Sequence, residues 1–164
     1  MSRPGADDES SRVFMMGEFR AVFPSGLRYT TNHMWAAESP TDGPGAAVWR
    51  FGLTSYAVRL LQDVYFLDWV VDPPTRITRR QQLGAIESKK AESDLYSPTA
   101  GELVGYNRQA LSDPSVINVD IYGDGWLLEI APGDSADLLD VDAYLKHLEQ
   151  AWVVAQRTIK GQVG

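Results

Sequence analysis

Short apolar segments separated by turn residues run through the middle of the chain, and they constrain the fold more than any other feature. Residues 64–71 are a run of aromatic and β-branched side chains, which favour strands. The run ends at Asp72-Pro73-Pro74, because proline cannot donate a hydrogen bond to a β-ladder. The pattern predicts a mostly-β (α+β) fold, with strands at residues 46–51, 64–71, 83–88, 102–106, 116–121 and 126–130 and around Tyr96.

Two segments depart from this pattern and predict helices. Residues 54–61 predict a short helix, and the C-terminal segment carries apolar side chains at alternating spacings of three and four. Asp140 or Asp142 can cap the start of the C-terminal helix, and Gly161 follows its predicted end. We expect this helix to pack on its own domain rather than to dock a partner. Its stripe consists of Leu138, Val141, Leu145, Leu148, Trp152, Ala155 and Ile159.

The length of 164 residues suits one domain with a sizeable core. Residues 1–17 predict a polar, loosely ordered lead, residues 18–133 the β domain, and residues 134–164 a helical segment packed on it. No apolar run approaches the length of a membrane span, and the acidic N-terminus lacks the features of a signal or transit peptide. A cytoplasmic location is therefore expected, with no membrane partner.

The composition excludes several kinds of chemistry. The chain has no cysteine, which excludes disulfides, thiolate nucleophiles and cysteine metal sites, so any thiol chemistry must come from an attached cofactor. The formal net charge of -7 argues against binding to nucleic acid. The two histidines, His33 and His147, have no plausible third ligand or serine partner in the sequence. We predict no catalytic residue, no metal site and no enzymatic activity of the chain itself.

One lysine stands out by its position. Lys90 lies between two strand-like stretches, in the polar segment 84–98. This placement predicts an exposed turn with the amine free for attachment. Lys89 precedes it directly, so the pair alone would be read as solvated charges.

The residues around this turn follow an ordered set of motifs. The segment Glu87-Ser88-Lys89-Lys90-Ala91 is followed by Pro98, Gly101, Asn107, Pro114, Asn118 and the segment Tyr122-Gly-Asp-Gly-Trp126. Upstream lie Tyr29-Thr-Thr-Asn-His33-Met-Trp35 and Gly52-Leu-Thr-Ser-Tyr-Ala57. This set resembles the H-protein family of the glycine cleavage system over roughly residues 27–148, and between Glu87 and Trp126 it matches the family's motifs without an insertion or deletion. The resemblance implies a barrel-sandwich hybrid lipoyl domain with short flanking helices and a C-terminal helix.

The resemblance also implies a cofactor and a site. Lys90 holds the family's spacing to Pro98 and Gly101, so it is the expected point of covalent, amide-linked lipoate attachment. Lys89 stands where the family usually has valine. The predicted attachment site also includes Glu87, Ser88, Ala91 and Asp94. In the family, acidic residues beside the lysine help the lipoate ligase, or other lipoyl-assembly enzymes, to recognise the turn. The alternative for Glu87 and Asp94 is that they are surface charges that only keep the protein soluble.

A predicted cleft for the arm involves His33 and Met34. His33 is expected to be a packed, hydrogen-bonded residue that holds the strand of Trp35. The family usually has an acidic residue between this His and Trp, where it can hydrogen-bond a cationic amine. Met34 is a weak acceptor without charge, which suits an apolar or sulfur-bearing cargo better. Met34 can equally be a tolerated core residue.

Two client systems fit a carrier of this kind. The departure at Met34 and a basic patch at Arg76, Arg79 and Arg80 favour the H-like lipoate-binding proteins of bacterial sulfur oxidation, which resemble this family. The partners would then be sulfur transferases and a heterodisulfide-reductase-like complex. The alternative is a glycine cleavage H protein that carries the aminomethyl group between glycine decarboxylase, aminomethyltransferase and dihydrolipoamide dehydrogenase. A second alternative is a non-lipoylated relay module for lipoate transfer.

Overall fold

Antiparallel strands make up most of the regular structure in the computed structural model, which describes residues 10–40, 47–133 and 137–163. In chain order the elements are β1 (Ser11–Met16), β2 (Phe19–Pro24), β3 (Arg28–Tyr29), β4 (Met34–Glu38), β5 (Trp49–Leu53), α1 (Ser55–Leu61), β6 (Val64–Trp69), β7 (Thr75–Ile77), β8 (Gln82–Ser88), β9 (Glu92–Tyr96), β10 (Gly101–Tyr106), α2 (Arg108–Ser112), α3 (Val116–Val119), β11 (Leu128–Ala131) and α4 (Val141–Val163). The predicted mostly-β fold with short helices and a C-terminal helix is confirmed.

Two sheets enclose the main core. The larger sheet has the strand order β3-β4-β5-β11-β10-β7, and the smaller one has the order β6-β8-β9. Apolar side chains from both sheets meet between them, including Phe51 and Leu103 from the larger sheet and Leu83 and Ile86 from the smaller one. Burying these side chains is the main source of stability, at roughly 1.5–3 kcal/mol for each large residue. The smaller sheet therefore presents its β8–β9 hairpin from a rigid base.

A second apolar cluster holds the C-terminal helix against the domain. Strands β1 and β2 pair as a separate hairpin and pack with α4 around Phe23, Tyr29 and Tyr144. The rings of Tyr29 and Tyr144 stack with centroids 4.8 Å apart, and Phe23 meets both edge-on. The hydroxyl of Tyr29 donates to the carbonyl of Pro24 at 2.6 Å. Helix α4 thus packs on its own domain, as its sequence pattern predicts.

The prediction of a strand at residues 116–121 is wrong. Residues Val116–Val119 form the short helix α3. The Asp113 carboxylate accepts a hydrogen bond from the Ser115 amide at 3.2 Å, and the Asp113 carbonyl accepts one from the Val116 amide at 3.1 Å. Pro114 precedes α3, at the second position of the turn from Asp113 to Val116, a place that proline's fixed φ suits. Only one side of the apolar run is buried, since Val119 is 82% exposed.

Both ends of the chain differ from the expectation as well. Residues 11–16, expected in a loosely ordered lead, form β1, because their apolar side chains pack against β2 and α4. Residues 1–9 of that lead lie outside the described part of the chain. Gly161 does not follow the last helix but lies within α4, since one glycine costs about 1 kcal/mol in a helix and does not by itself end it. No helix in the described ranges has the length and apolar character needed to cross a membrane.

Candidate functional site

The turn between β8 and β9 is closed by one serine side chain. The Ser88 hydroxyl accepts hydrogen bonds from the amides of Lys90 at 3.4 Å and Ala91 at 3.1 Å, and it lies 3.1 Å from the Ala91 carbonyl. The Ser88 amide donates to the same carbonyl at 2.8 Å. Short polar side chains favour turns for this reason, since they bond to neighbouring backbone groups. Ser88 and Ala91, two of the predicted site residues, thus frame the lysine pair.

The same turn is fastened to the end of α1. The Lys89 amide donates to the carbonyl of Asp63 at 2.9 Å, and the Lys90 amide donates to that of Leu61 at 3.3 Å. Asn118 in turn fixes this part of the backbone, because its side chain donates to the Gln62 carbonyl at 2.8 Å and accepts from the Val64 amide at 2.9 Å. The tip of the hairpin is therefore held from two directions.

The side chains of Lys89 and Lys90 are both exposed at this tip. Within the described residues neither amine has a hydrogen bond or ion pair, so each is free for chemistry. Glu87 lies directly across from Glu92 in the ladder. Partial desolvation, a side-chain hydrogen bond with Glu92 and the charge of Glu92 all raise the pKa of Glu87. Asp94 is exposed two residues further along β9, so acids flank the lysines as the sequence predicts.

A groove begins beside the turn and runs between the hairpin, β4 and α1. Its volume is about 310 Å³, and Ala91, the neighbour of Lys90, lies on its wall. Most of the lining is apolar, with Glu92 and Asp94 on the hairpin side. The apolar lining comes from Met34, Leu53, Ala57, Leu60, Leu61, Ile86 and Leu95. A groove of this size can hold a small apolar ligand.

Both predicted cleft residues line this groove. Met34 is 2% exposed and belongs to the main core, so it is a packed side chain and a groove residue at once. His33 lies beside it, with Nδ1 3.0 Å from the Tyr144 hydroxyl. Desolvation by burial, followed by the charge of His147, lowers the pKa of His33 to about 4. His33 is therefore a neutral side chain at neutral pH.

The sequence did not point to several members of the site. Leu53, Leu61 and Ile86 come from three separate elements, and only the folded sheets bring them together. Tyr144 lies 111 residues after His33, on a helix whose predicted apolar stripe does not include it. Its only sequence signal was its place in the first turn of that helix.

Other candidates lie away from the groove or lack the partners for chemistry. His147 comes within 5.6 Å of His33, measured between ring centroids, although the two are far apart in sequence. In the part of the chain that the structure describes, no cluster of three or more His, Asp or Glu side chains could hold a metal ion. Arg76, Arg79 and Arg80 are exposed, and Arg79 lies 3.8 Å from Asp137.

Comparison with known proteins decides the family. The family model described as "Glycine cleavage H-protein" matches residues 27–155. The chain belongs to the glycine cleavage H-protein family. A glycine cleavage system H protein of Rubrobacter xylanophilus is 37% identical over 130 residues, which cover 79% of this chain and 98% of that protein. One from Pseudoalteromonas atlantica is 35% identical, over 77% of this chain and 96% of its own length.

A solved H-protein structure gives the same result for the fold. The crystal structure of a glycine cleavage system H protein from Mycobacterium marinum matches with a TM-score of 0.66 and 31% identity, over 77% of this chain and 99% of its own. The mostly-β fold is thus the barrel-sandwich hybrid of the H-protein family. Members of this family carry covalently attached lipoate and act as carriers rather than as catalysts.

The relatives also bear on the client system. They are described as glycine cleavage system H proteins, so they favour glycine cleavage over the sulfur-oxidation system that the departures at Met34 and the arginines suggested. The H-protein match begins at residue 27, so the β1–β2 hairpin precedes the matched segment.

Proposed function

We propose that this chain is a lipoyl carrier of the glycine cleavage system, with the lipoyl arm amide-linked to Lys90. The observation that carries the proposal is the turn itself: an exposed lysine held by Ser88 and by the end of α1, beside an apolar groove. A tethered group gains a high effective concentration at each partner enzyme when its base is fixed and its arm is free. The turn has both properties.

The residues around the turn fit a lipoyl group. The groove starts at Ala91, next to the attachment point, and its apolar lining matches a ring of carbon and sulfur. Met34, Leu61 and Ile86 would contact the ring there. When bound, lipoate supplies a disulfide that can be reduced and reoxidised, which a chain without cysteine cannot supply itself. The apolar groove would exclude water from the bound end of the arm.

The proposed partners follow from the family. They are glycine decarboxylase, aminomethyltransferase and dihydrolipoamide dehydrogenase, together with the lipoate ligase or lipoyl-assembly enzymes that load Lys90. The cargo is the aminomethyl group, and a cytoplasmic location belongs to the same proposal. Glu87 and Asp94 flank the lysine and give those loading enzymes an acidic surface to recognise.

The test is an intact-mass spectrum of the protein after co-production with a lipoate ligase, before and after incubation with glycine and a glycine decarboxylase. We expect a lipoyl increment, followed by a further aminomethyl increment. A lipoyl increment that stays unloaded would contradict the glycine cleavage assignment. Protein that gains no lipoyl group at all would contradict the carrier proposal and favour the non-lipoylated relay module.

One observation keeps a sulfur cargo as a second candidate. The groove lining next to His33 is the thioether of Met34, and carboxylates line the groove only from the hairpin side. An ammonium group at this point would lack a charged acceptor, whereas a sulfur-bearing group would not need one. Loading of the lipoylated protein by a sulfur transferase and a persulfide donor, in place of glycine, tests this candidate. A sulfur increment supports it, and its absence contradicts it.

The variant Met34→Glu tests whether the side chain at this position is buried in solution. A carboxylate there would be buried and costly, so we expect a loss of roughly 2–4 kcal/mol of unfolding free energy at neutral pH. Part of this loss should be recovered at lower pH, because burial raises the pKa of the new carboxyl. Urea unfolding at two pH values measures it, with the volume-conserving Met34→Leu as the control. A Met34→Glu variant as stable as Met34→Leu would show that this position is not buried in solution.

A further inference from the structure

His33 has an unusual backbone conformation at the groove wall. Its φ is 67°, a left-handed value that residues other than glycine adopt infrequently. The conformation is held by hydrogen bonds from the His33 amide to the Thr30 carbonyl at 3.1 Å and from the Thr54 amide to the His33 carbonyl at 3.0 Å. The imidazole packs against the ring of Tyr56, with centroids 4.7 Å apart. The side chain is thus fixed in place at the groove.

A buried chain of hydrogen bonds ends at this imidazole. The Tyr144 hydroxyl lies 3.0 Å from His33 Nδ1 and 2.9 Å from Thr54 Oγ1. Tyr144 and Thr54 are both fully buried. Thr54 Oγ1 also accepts a hydrogen bond from the Ala57 amide at 3.4 Å, as the N-cap of α1. The phenol of Tyr144 on α4 therefore links the start of α1, through Thr54, to His33 on the groove wall.

The protons in this chain can be assigned. Within the described residues, the Thr54 hydroxyl has one possible acceptor for its own proton, the Tyr144 oxygen. Thr54 then donates to Tyr144, and Tyr144 donates to His33 Nδ1. The opposite direction would leave the buried Thr54 proton without an acceptor, which native structures rarely tolerate. Because Nδ1 accepts, the proton of the neutral imidazole lies on Nε2.

We infer that Tyr144 is a positioning residue, which holds His33 as a hydrogen-bond donor toward the groove through Nε2–H. No described residue accepts from Nε2. The groove therefore offers a donor next to the thioether of Met34, and this donor pairs with an uncharged or anionic acceptor. A thiol or thiolate sulfur of the arm's reduced end is the acceptor class that fits. This ligand class rests on the proposed attachment of lipoate at Lys90, whereas the proton assignment does not.

The ionisation of the neighbours agrees with this assignment. Burial holds the pKa of Tyr144 well above its usual value, so its hydroxyl keeps the proton that it donates. Burial and the charge of His147 lower the pKa of His33, so the imidazole stays neutral. The other titratable groups that face His33 across the groove or pack on it are Tyr56 on α1 and Glu92, Asp94 and Tyr96 on the hairpin side.

The first experiment measures the tautomer in the full, unlipoylated chain by two-bond ¹H–¹⁵N NMR at neutral pH. We expect His33 in the Nε2–H form. In Tyr144→Phe the form should become mixed and the His33 pKa should rise by roughly 0.5–1 unit, because the donor to Nδ1 is lost. Tyr56→Phe removes a phenol beside the same ring and should change neither. An Nδ1–H form in the wild-type chain overturns the inference, even if Tyr144→Phe does not fold.

The second measurement addresses the ligand class. The same spectrum is recorded on the lipoylated chain with the arm reduced, and we expect a shifted His33 Nε2–H signal relative to the unlipoylated chain. An unchanged signal on a chain that carries the lipoyl group would overturn the proposed acceptor. A chain that gains no lipoyl group would instead count against the proposed function and leave the tautomer result standing.

Discussion

Ser88 shows how much of the site depends on a single side chain. Its hydroxyl accepts hydrogen bonds from the amides of Lys90 and Ala91, whereas the amines of the two lysines make no hydrogen bond or ion pair with the described residues. The turn is thus ordered by the hydroxyl of a neighbouring residue rather than by the lysine side chains. Two other single residues matter in the same way. Met34 makes the groove apolar beside His33, and Thr54 sets the direction of the hydrogen bonds that run through Tyr144 to His33.

We expect Ser88→Ala to loosen the turn without removing the lysines. The loss of the hydroxyl should cost about 1 kcal/mol of unfolding free energy and speed amide exchange most at Ala91, because its amide loses its acceptor whereas the Lys90 amide keeps the Leu61 carbonyl. Hydrogen-exchange NMR measures both effects. Ser93→Ala is the matched control, since Ser93 is exposed on the same hairpin and its hydroxyl, among the described residues, donates only to the Asp94 carbonyl. Equal exchange at Ala91 in both variants would contradict the role of Ser88.

At the scale of elements, the small sheet is assembled around a close contact between β6 and β8. A Cβ atom on Gly84 would lie 2.2 Å from the Asp68 carbonyl oxygen and 2.9 Å from the Trp69 ring. Real Cβ contacts are never this short, so the two strands approach each other only because residue 84 is glycine. Gly52 has the same role beside the Trp35 ring, at 2.7 Å.

Gly84→Ala should therefore force β6 and β8 apart. We expect a loss of roughly 1–3 kcal/mol of unfolding free energy, as for other overpacked sites, together with weaker protection of the β8 amides. Chemical denaturation measures the first and hydrogen exchange the second. Gly105→Ala, another strand glycine, has nothing within 4 Å of the added Cβ and is the control. A Gly84→Ala chain as stable as Gly105→Ala would refute the close approach.

At the scale of the whole molecule, the neutral His33 couples stability to pH. Its pKa of about 4 in the folded chain lies below the usual 6.5, so the unfolded chain binds the proton more readily between these values. Stability is then complete above about pH 6.5 and falls as the pH drops toward 4. The coupling amounts to about 2 kcal/mol between about pH 7.5 and about pH 5.

The variant His33→Asn tests this coupling, because asparagine tolerates a positive φ and does not titrate. We expect the stability difference between wild type and variant to shrink, or to reverse, as the pH falls from about 7.5 to about 5. Urea unfolding at both values measures it, and the carboxylates common to both proteins cancel. A difference that stays constant with pH would contradict the lowered pKa of His33.

The sequence predicts local features of this molecule well and distant ones poorly. The exposed turn at Lys90, the helix at residues 54–61 and the strands around the hairpin follow from motifs within a few residues of each other. The apolar run of residues 116–121 predicts a strand instead of helix α3, because its pattern does not show the hydrogen bonds that Asp113 makes at the start of the helix. The link from His33 to Tyr144 spans 111 residues and depends on how α4 packs, so no local pattern contains it.

The most direct test of the account is the position of the lipoyl group. Wild type, Lys89→Arg and Lys90→Arg are co-produced with a lipoate ligase, and peptide mass mapping locates the modification. We expect a lipoyl group on Lys90 in the wild type and in Lys89→Arg, and none in Lys90→Arg, which keeps the charge and the exposed turn. A lipoyl group on Lys89, or an unmodified wild-type chain, would contradict it.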